Sequence, residues 1–128
     1  MTLLGLHHVA VICSDYAVSK QFYTEVLGLN ILSEVYRAER DSYKLDLEIP
    51  GGTQIELFSF PASPNRLTYP EARGLRHLAF LVSDLDQQVS ELVAKGVSVE
   101  EIRTDEITGK RYTFFADPDG LPIELYAL

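Results

Sequence analysis

Two histidines and two glutamates of this 128-residue chain have the types and the spacing to grip one divalent cation. His8 lies in Gly5-Leu6-His7-His8-Val9-Ala10-Val11-Ile12-Cys13-Ser14-Asp15, and His77 in a near copy, Gly74-Leu75-Arg76-His77-Leu78-Ala79-Phe80-Leu81-Val82-Ser83-Asp84. Glu56, in Gln54-Ile55-Glu56-Leu57, is matched by Glu124 in Pro122-Ile123-Glu124-Leu125. Imidazole nitrogens with carboxylate oxygens suit Zn, Ni, Co, Mn or Fe rather than a thiolate site. Four such ligands on an octahedral ion leave two adjacent positions for substrate oxygens, where the ion acts as a Lewis acid on a carbonyl.

An internal repeat ties the four positions together. Gly28 returns as Gly96, and Pro50-Gly51-Gly52 as Pro118-Asp119-Gly120. A fixed period means one supersecondary unit used twice. Taken singly, each His reads as an ordinary polar residue. Each Glu reads singly as a solvated residue on a half-covered sheet, in an element where Glu is depleted. Agreement of all four residue types under one repeat, while most other positions differ, favours a shared role. Strand parity places His8, Ala10 and Ile12 on one face, and His77, Ala79 and Leu81 on the equivalent face. His7 falls on the opposite face, corresponds to Arg76 and is read as a surface residue.

The elements that must position these groups follow from pattern and punctuation. Residues 6–13 read as a buried strand bounded by Gly5 and Ser14-Asp15. Asp15 caps a helix carrying Val18, Phe22, Val26 and Leu27, which Gly28 ends. Strands follow at 30–37, 43–49 and 53–60, the second alternating Tyr43, Leu45, Leu47 and Ile49 with Lys44, Asp46 and Glu48. In the second half, strand 76–83 leads through Asp84 into a helix with Leu85, Val89, Leu92 and Val93 on one face, closed by Gly96. Strands are expected near 97–103, 111–116 and 121–127, with a type I turn at Asp117-Pro118-Asp119-Gly120. The fold class is therefore α+β: two tandem β-α-β-β-β modules, 5–60 and 74–128, within one domain of residues 1–128. The Pro-containing stretch 61–73 is expected to link them.

Composition narrows the classes of partner. A hydrophobic fraction of 46% and a charged fraction of 23% suit a globular chain. Net charge of −8 disfavours nucleic acid or an anionic membrane as the main partner, and the small-molecule substrate is implied by the candidate metal site and not by the charge. No apolar run reaches the ~18 residues of a membrane span, and no secretion signal is expected at the start. The lone Cys13 allows no intrachain disulfide, which suits a reducing cytoplasm.

Over nearly its whole length the chain resembles the vicinal oxygen chelate superfamily, and within it glyoxalase I. The resemblance is carried by His8-Val-Ala-Val-Ile-Cys-Ser-Asp15, by Ser19-Lys-Gln-Phe22-Tyr23-Thr-Glu-Val-Leu27-Gly28-Leu29, and by Ile55-Glu56-Leu57. His77-Leu-Ala-Phe and Asp117-Pro-Asp-Gly-Leu-Pro-Ile-Glu124-Leu complete it. It implies paired modules whose curved mixed sheets form a cleft around a divalent metal, with His8, Glu56, His77 and Glu124 at the four ligand positions. Superfamily dioxygenases and fosfomycin-resistance proteins typically use two His and one Glu, so the second carboxylate leans toward glyoxalase I. The implied reaction is that of a lyase or isomerase on the hemithioacetal of a thiol and a 2-oxoaldehyde, through an enediolate held by the metal. Glu124 is the implied base, with Glu56 its symmetry-related partner. Ni or Zn is the expected ion, with Co, Mn or Fe compatible, and a homodimer is expected.

One departure bears on the substrate. Glyoxalase I usually carries Arg four residues after the first ligand to meet a glutathione carboxylate, and Ile12 stands there. Arg37, Arg40, Arg66, Arg73, Lys110 and Arg111 are the cations that could meet a substrate anion instead, each otherwise an ordinary solvated charge. Rival readings are an isomerase like methylmalonyl-CoA epimerase, an Fe(II) dioxygenase, and a binding protein without catalysis that sequesters a small molecule such as a drug.

Overall fold

The computed structural model describes residues 1–128 as two compact units, Met1–Pro64 and Asn65–Leu128. Unit 1 runs β1 (His8–Cys13), α1 (Tyr16–Gln21), β2 (Asn30–Arg37), β3 (Ser42–Glu48) and β4 (Gln54–Ser59). Its sheet has the order β1-β4-β3-β2, parallel between β1 and β4 and antiparallel elsewhere. Unit 2 repeats the plan with β5 (Leu78–Val82), α2 (Leu85–Ala94), β6 (Arg103–Thr104), β7 (Arg111–Ala116) and β8 (Pro122–Ala127). The order β5-β8-β7-β6 is the same arrangement. Two tandem β-α-β-β-β modules with mixed four-stranded sheets are therefore present, and neither sheet closes into a barrel.

Each helix starts as the sequence dictates. Asp15 Oδ1 accepts from Val18 N at 3.2 Å and Asp84 Oδ1 from Gln87 N at 3.0 Å, meeting amide donors that the first turn leaves free. α2 ends in a Schellman arrangement: Gly96 N donates to Val93 O, Val97 N to Leu92 O, and Gly96 takes φ 84°. The first helix differs from expectation beyond Gln21. It widens into a π-helical turn over Phe22–Val26, with Leu27 N reaching back to Phe22 O, and both Phe22 and Tyr23 enter the core.

Alternation decides which face is covered. Leu45, Leu47, Ile55 and Leu57 are fully buried with Tyr23 in unit 1, and Ile123, Leu125 and Phe115 are buried in unit 2. Burying each such side chain contributes about 1.5–3 kcal/mol. The opposite face of each sheet carries the polar set and no helix. The turns before β4 and β8 agree as well, with Gly52 N bonding Ile49 O and Gly120 N bonding Asp117 O.

The strand expected over 97–103 is corrected to Arg103–Thr104. Upstream, Glu100 N donates to Phe114 O and Thr113 Oγ1 donates to Glu100 O, a contact that does not continue as a ladder. The stretch 61–73 is divided after Pro64, and residues 66–69, 71 and 72 line a cleft of unit 2.

Candidate functional site

In unit 1 the register puts Ala10 opposite Glu56, with His8 opposite Gln54 and Ile12 opposite Phe58 on the same open face. His8 Nδ1 lies 3.2 Å from Glu56 Oε2. β3 brings Asp46 opposite Glu56, and Lys44 Nζ lies 2.7 Å from Asp46 Oδ1 and 3.7 Å from Glu56 Oε1. Its bond to Asp46 holds the Lys44 ammonium above its usual pKa, so it stays charged. His7 is drawn in too, its Nδ1 2.9 Å from His8 Nδ1, because the strand begins only at His8 and parity does not bind the residue before it.

Unit 2 repeats the geometry. Ala79 stands opposite Glu124, Phe114 lies opposite Glu124 on the other side, and His77 Nε2 is 3.0 Å from Glu124 Oε2. The His77 ring meets Phe114 edge-on, centroids 5.0 Å apart. Arg76 Nη1, 3.2 Å from His77 Nδ1, can only donate, so Nδ1 accepts and Nε2 carries the proton directed at Glu124. His7 and Arg76, matched by the repeat, each contact Nδ1 of the following histidine, but His8 turns that same nitrogen to Glu56 while His77 turns Nε2 to Glu124. A cleft of ≈ 1060 Å³ opens over this face, lined by His77, Glu124, Arg76, Arg103, Tyr112 and Phe114 among others.

Whether these groups suit a cation can be tested on spacing. Nitrogen and oxygen donors about 2.1 Å from one ion and at right angles to each other lie about 3 Å apart. Both His–Glu pairs meet that spacing, and Glu56 and Glu124 are mostly buried, at 14% and 12% side-chain exposure. The donor set fits. Each unit supplies a pair, and neither gathers three or more His, Cys, Asp or Glu side chains around one point.

The remaining cations separate clearly. Arg111 pairs with Asp86 at 2.8 Å, and Arg40, Arg73 and Lys110 are exposed. Arg66 is spent on its own unit, bonding Thr68 Oγ1 and the carbonyls of Leu75 and Arg76. Arg103, which the sequence reading passed over, lies over Tyr112 and Phe114 on the cleft wall. Lys44 and Asp46 were legible as the polar half of an alternating strand, but only the β3–β4 register joins them to Glu56.

Residues 5–125 match the model of the Glyoxalase/Bleomycin resistance protein/Dioxygenase superfamily. The chain belongs to that superfamily. It is similar to Bacillus subtilis (strain 168) YwkD, with 60% identity over 98% of each chain. The crystal structure of SMU.1112c superposes with a TM-score of 0.93 at 47% identity, covering 98% of this chain and 99% of that one. More distant relatives bear names of activities: a 2-epi-5-epi-valiolone epimerase of Actinomyces sp (30% identity, 98% of this chain, 80% of that one) and the metallothiol transferase FosB of Staphylococcus haemolyticus (31%, 95% and 82%).

Proposed function

We propose that the chain is a divalent-metal-dependent lyase or isomerase of the glyoxalase I kind, acting on the hemithioacetal of a thiol and a 2-oxoaldehyde or on a similar 1,2-oxygenated small molecule. The observation that supports it is the pair of His–Glu contacts at 3.2 and 3.0 Å, each on an open sheet face. In this reading His8, Glu56, His77 and Glu124 serve one ion, Ni or Zn. When bound, that ion supplies Lewis acidity to a substrate carbonyl oxygen.

The chain's own groups do the rest. Glu124 takes the carbon-bound proton and returns it to the neighbouring carbon, so no proton is lost to solvent and the sum is an isomerisation. His77 orients that carboxylate, and Phe114, edge-on to the His77 ring, helps to fix the imidazole. Glu56 is its counterpart in the repeat. Glu124 would help to hold the ion, and its carboxylate would serve as base only where it is free of that ion, since coordination lowers basicity.

A homodimer in the cytoplasm is the proposed setting. Strand β2 is at the edge of its sheet with Ile31, Leu32, Val35 and Tyr36 exposed, an edge that a second copy would cover.

Metal analysis of the purified protein, followed by turnover of methylglyoxal with several thiols under the metal found, tests the reading. One bound ion per site and thioester formation are expected. Full turnover after chelation would overturn metal dependence, and tight ligand binding without turnover under any metal would make the protein a binder. Oxygen uptake with a catechol under Fe(II) would make it a dioxygenase.

A further inference from the structure

We infer that Arg37 is a receptor for a carboxylate on the substrate, set on the same open face as His8 and Glu56. This deepens the proposed function and rests on it only for where the reacting carbon lies.

Arg37 closes β2 opposite Ser42, so it shares the face of Lys44, Asp46 and Glu56 through the β2–β3 and β3–β4 registers. Its guanidinium carbon lies 5.0 Å from the Phe58 ring centroid and 5.8 Å from that of Phe60, two rings stacked at 10° to each other. Ring faces of this kind fix the plane of a guanidinium without neutralising it. The single hydrogen bond it makes is from Nη2 to the neutral Ser42 Oγ at 2.9 Å. Nε is buried with no acceptor.

Lys20 and Lys44, also of unit 1, each hold a carboxylate oxygen at 2.7 Å. Arg103, the comparable cation of unit 2, has Glu100 at 3.5 Å. Arg37 has no anion at all. A part-desolvated cation without a counterion is costly, and the missing partner is one that a guanidinium fork recognises: a carboxylate. Phe58 follows Glu56 by two residues, roughly 7 Å along the strand. A substrate bound at an ion that Glu56 helps to hold would therefore reach Arg37 with a short chain.

A matched thiol pair tests this in the metal-loaded protein: methylglyoxal with 3-mercaptopropionate, and with its neutral isostere 3-mercaptopropionamide. The ratio of kcat/KM for the two adducts is measured in wild type, Arg37→Met and Arg40→Met. Methionine keeps apolar cover over Phe58 and Phe60, and Arg40 is an exposed cation nearby in the chain. Arg37→Met is expected to lower the ratio by about tenfold or more, the worth of one charge-assisted hydrogen bond, and Arg40→Met to leave it within about twofold. A ratio unchanged by Arg37→Met, or lowered equally by Arg40→Met, overturns the inference.

Independently of turnover, the Arg37 Nε–H resonance of wild type, shielded from water, is followed by NMR. It should shift saturably with 3-mercaptopropionate and not with the amide. Absence of turnover with both adducts counts against the proposed function alone, while an Arg37 resonance unmoved by the carboxylate overturns the anion site whatever the turnover. The NMR arm also decides the matter if Arg37→Met does not fold.

Discussion

Ala10 lies directly across the parallel β1–β4 pair from Glu56, and the methyl group is what lets the histidine reach the carboxylate. His8 is two residues earlier on the same face, and its ring passes beside Ala10 to meet Glu56 at 3.2 Å. Ala79 stands in the same relation to Glu124. A larger side chain at either position would fill the space the His–Glu pair uses. Ala79→Leu is expected to keep the fold, because position 79 is exposed on the open face. Divalent-metal affinity, read by titration calorimetry, should fall by about tenfold or more; affinity equal to wild type would show that the pair is not the ligand.

Glu124→Gln separates binding from proton transfer. The amide oxygen remains a donor of the same reach but cannot accept a proton as a base. Metal content of the purified variant should stay near wild type, while turnover of the hemithioacetal drops by about 100-fold or more, within the range that general bases contribute. Unimpaired turnover would move the base elsewhere, with Glu56 the next residue to change.

Arg76 sets a different expectation. Its contact with His77 Nδ1 at 3.2 Å requires the imidazole proton on Nε2, the nitrogen facing Glu124. Coordination through Nε2 needs the opposite tautomer, so the Arg76–Nδ1 contact must break, although Glu71, at 2.6 Å, already holds the guanidinium beside the ring. Removing the guanidinium relieves both the tautomer conflict and a nearby positive charge. Arg76→Ala should therefore tighten metal binding by up to about tenfold in a competition assay with a chromogenic chelator. Weaker binding would mean that Arg76 supports the bound state.

Most of the frame was legible because each signal had one reading. The alternation of Lys44, Asp46 and Glu48 with Leu45 and Leu47 admits only a strand with one covered face, and Asp15 and Asp84 mark helix starts by their chemistry. The His–Glu pairs were legible because a repeat compares the chain with itself. Residues 97–102 misled because Val97 and Val99 carry strand-forming side chains, yet the backbone there makes an isolated bond from Glu100 to Phe114 rather than a ladder. The π-helical turn was hidden for another reason: its cause is the adjacent burial of Phe22 and Tyr23, a tertiary demand that helical spacing does not encode. The role of Arg37 depends on what lies across a register, which no single stretch of sequence contains.

The repeat also predicts matched stability effects. Ile55 and Ile123 occupy equivalent, fully buried positions beside the two glutamates. Ile55→Ala and Ile123→Ala should each cost about 2–5 kcal/mol, transfer and cavity together. Urea unfolding measures this directly, and a loss under about 1 kcal/mol at either position would contradict the buried placement.

The acid limb of stability should depend on Glu34. This carboxylate of β2 accepts from Lys20 Nζ at 2.7 Å and from the Tyr16 hydroxyl, both on α1, and so pins the edge strand to the helix. The bond from Lys20, then that from Tyr16, hold the Glu34 pKa below the ordinary value of 4.5. A depressed carboxylate pKa means the unfolded chain binds the proton more readily. The stabilisation is therefore fully present above pH 4.5 and is lost as pH falls through the lowered value. Burial, then the bond to Glu34, pushes the Tyr16 phenol well above its usual 10, so the contact persists through mildly alkaline pH. Glu34→Gln should flatten the melting temperature against pH below about pH 5, with a loss at pH 7 of no more than about 1 kcal/mol for so exposed a pair. A wild-type and variant difference that does not change between pH 7 and pH 3 would show that the clamp carries no charge-dependent stability.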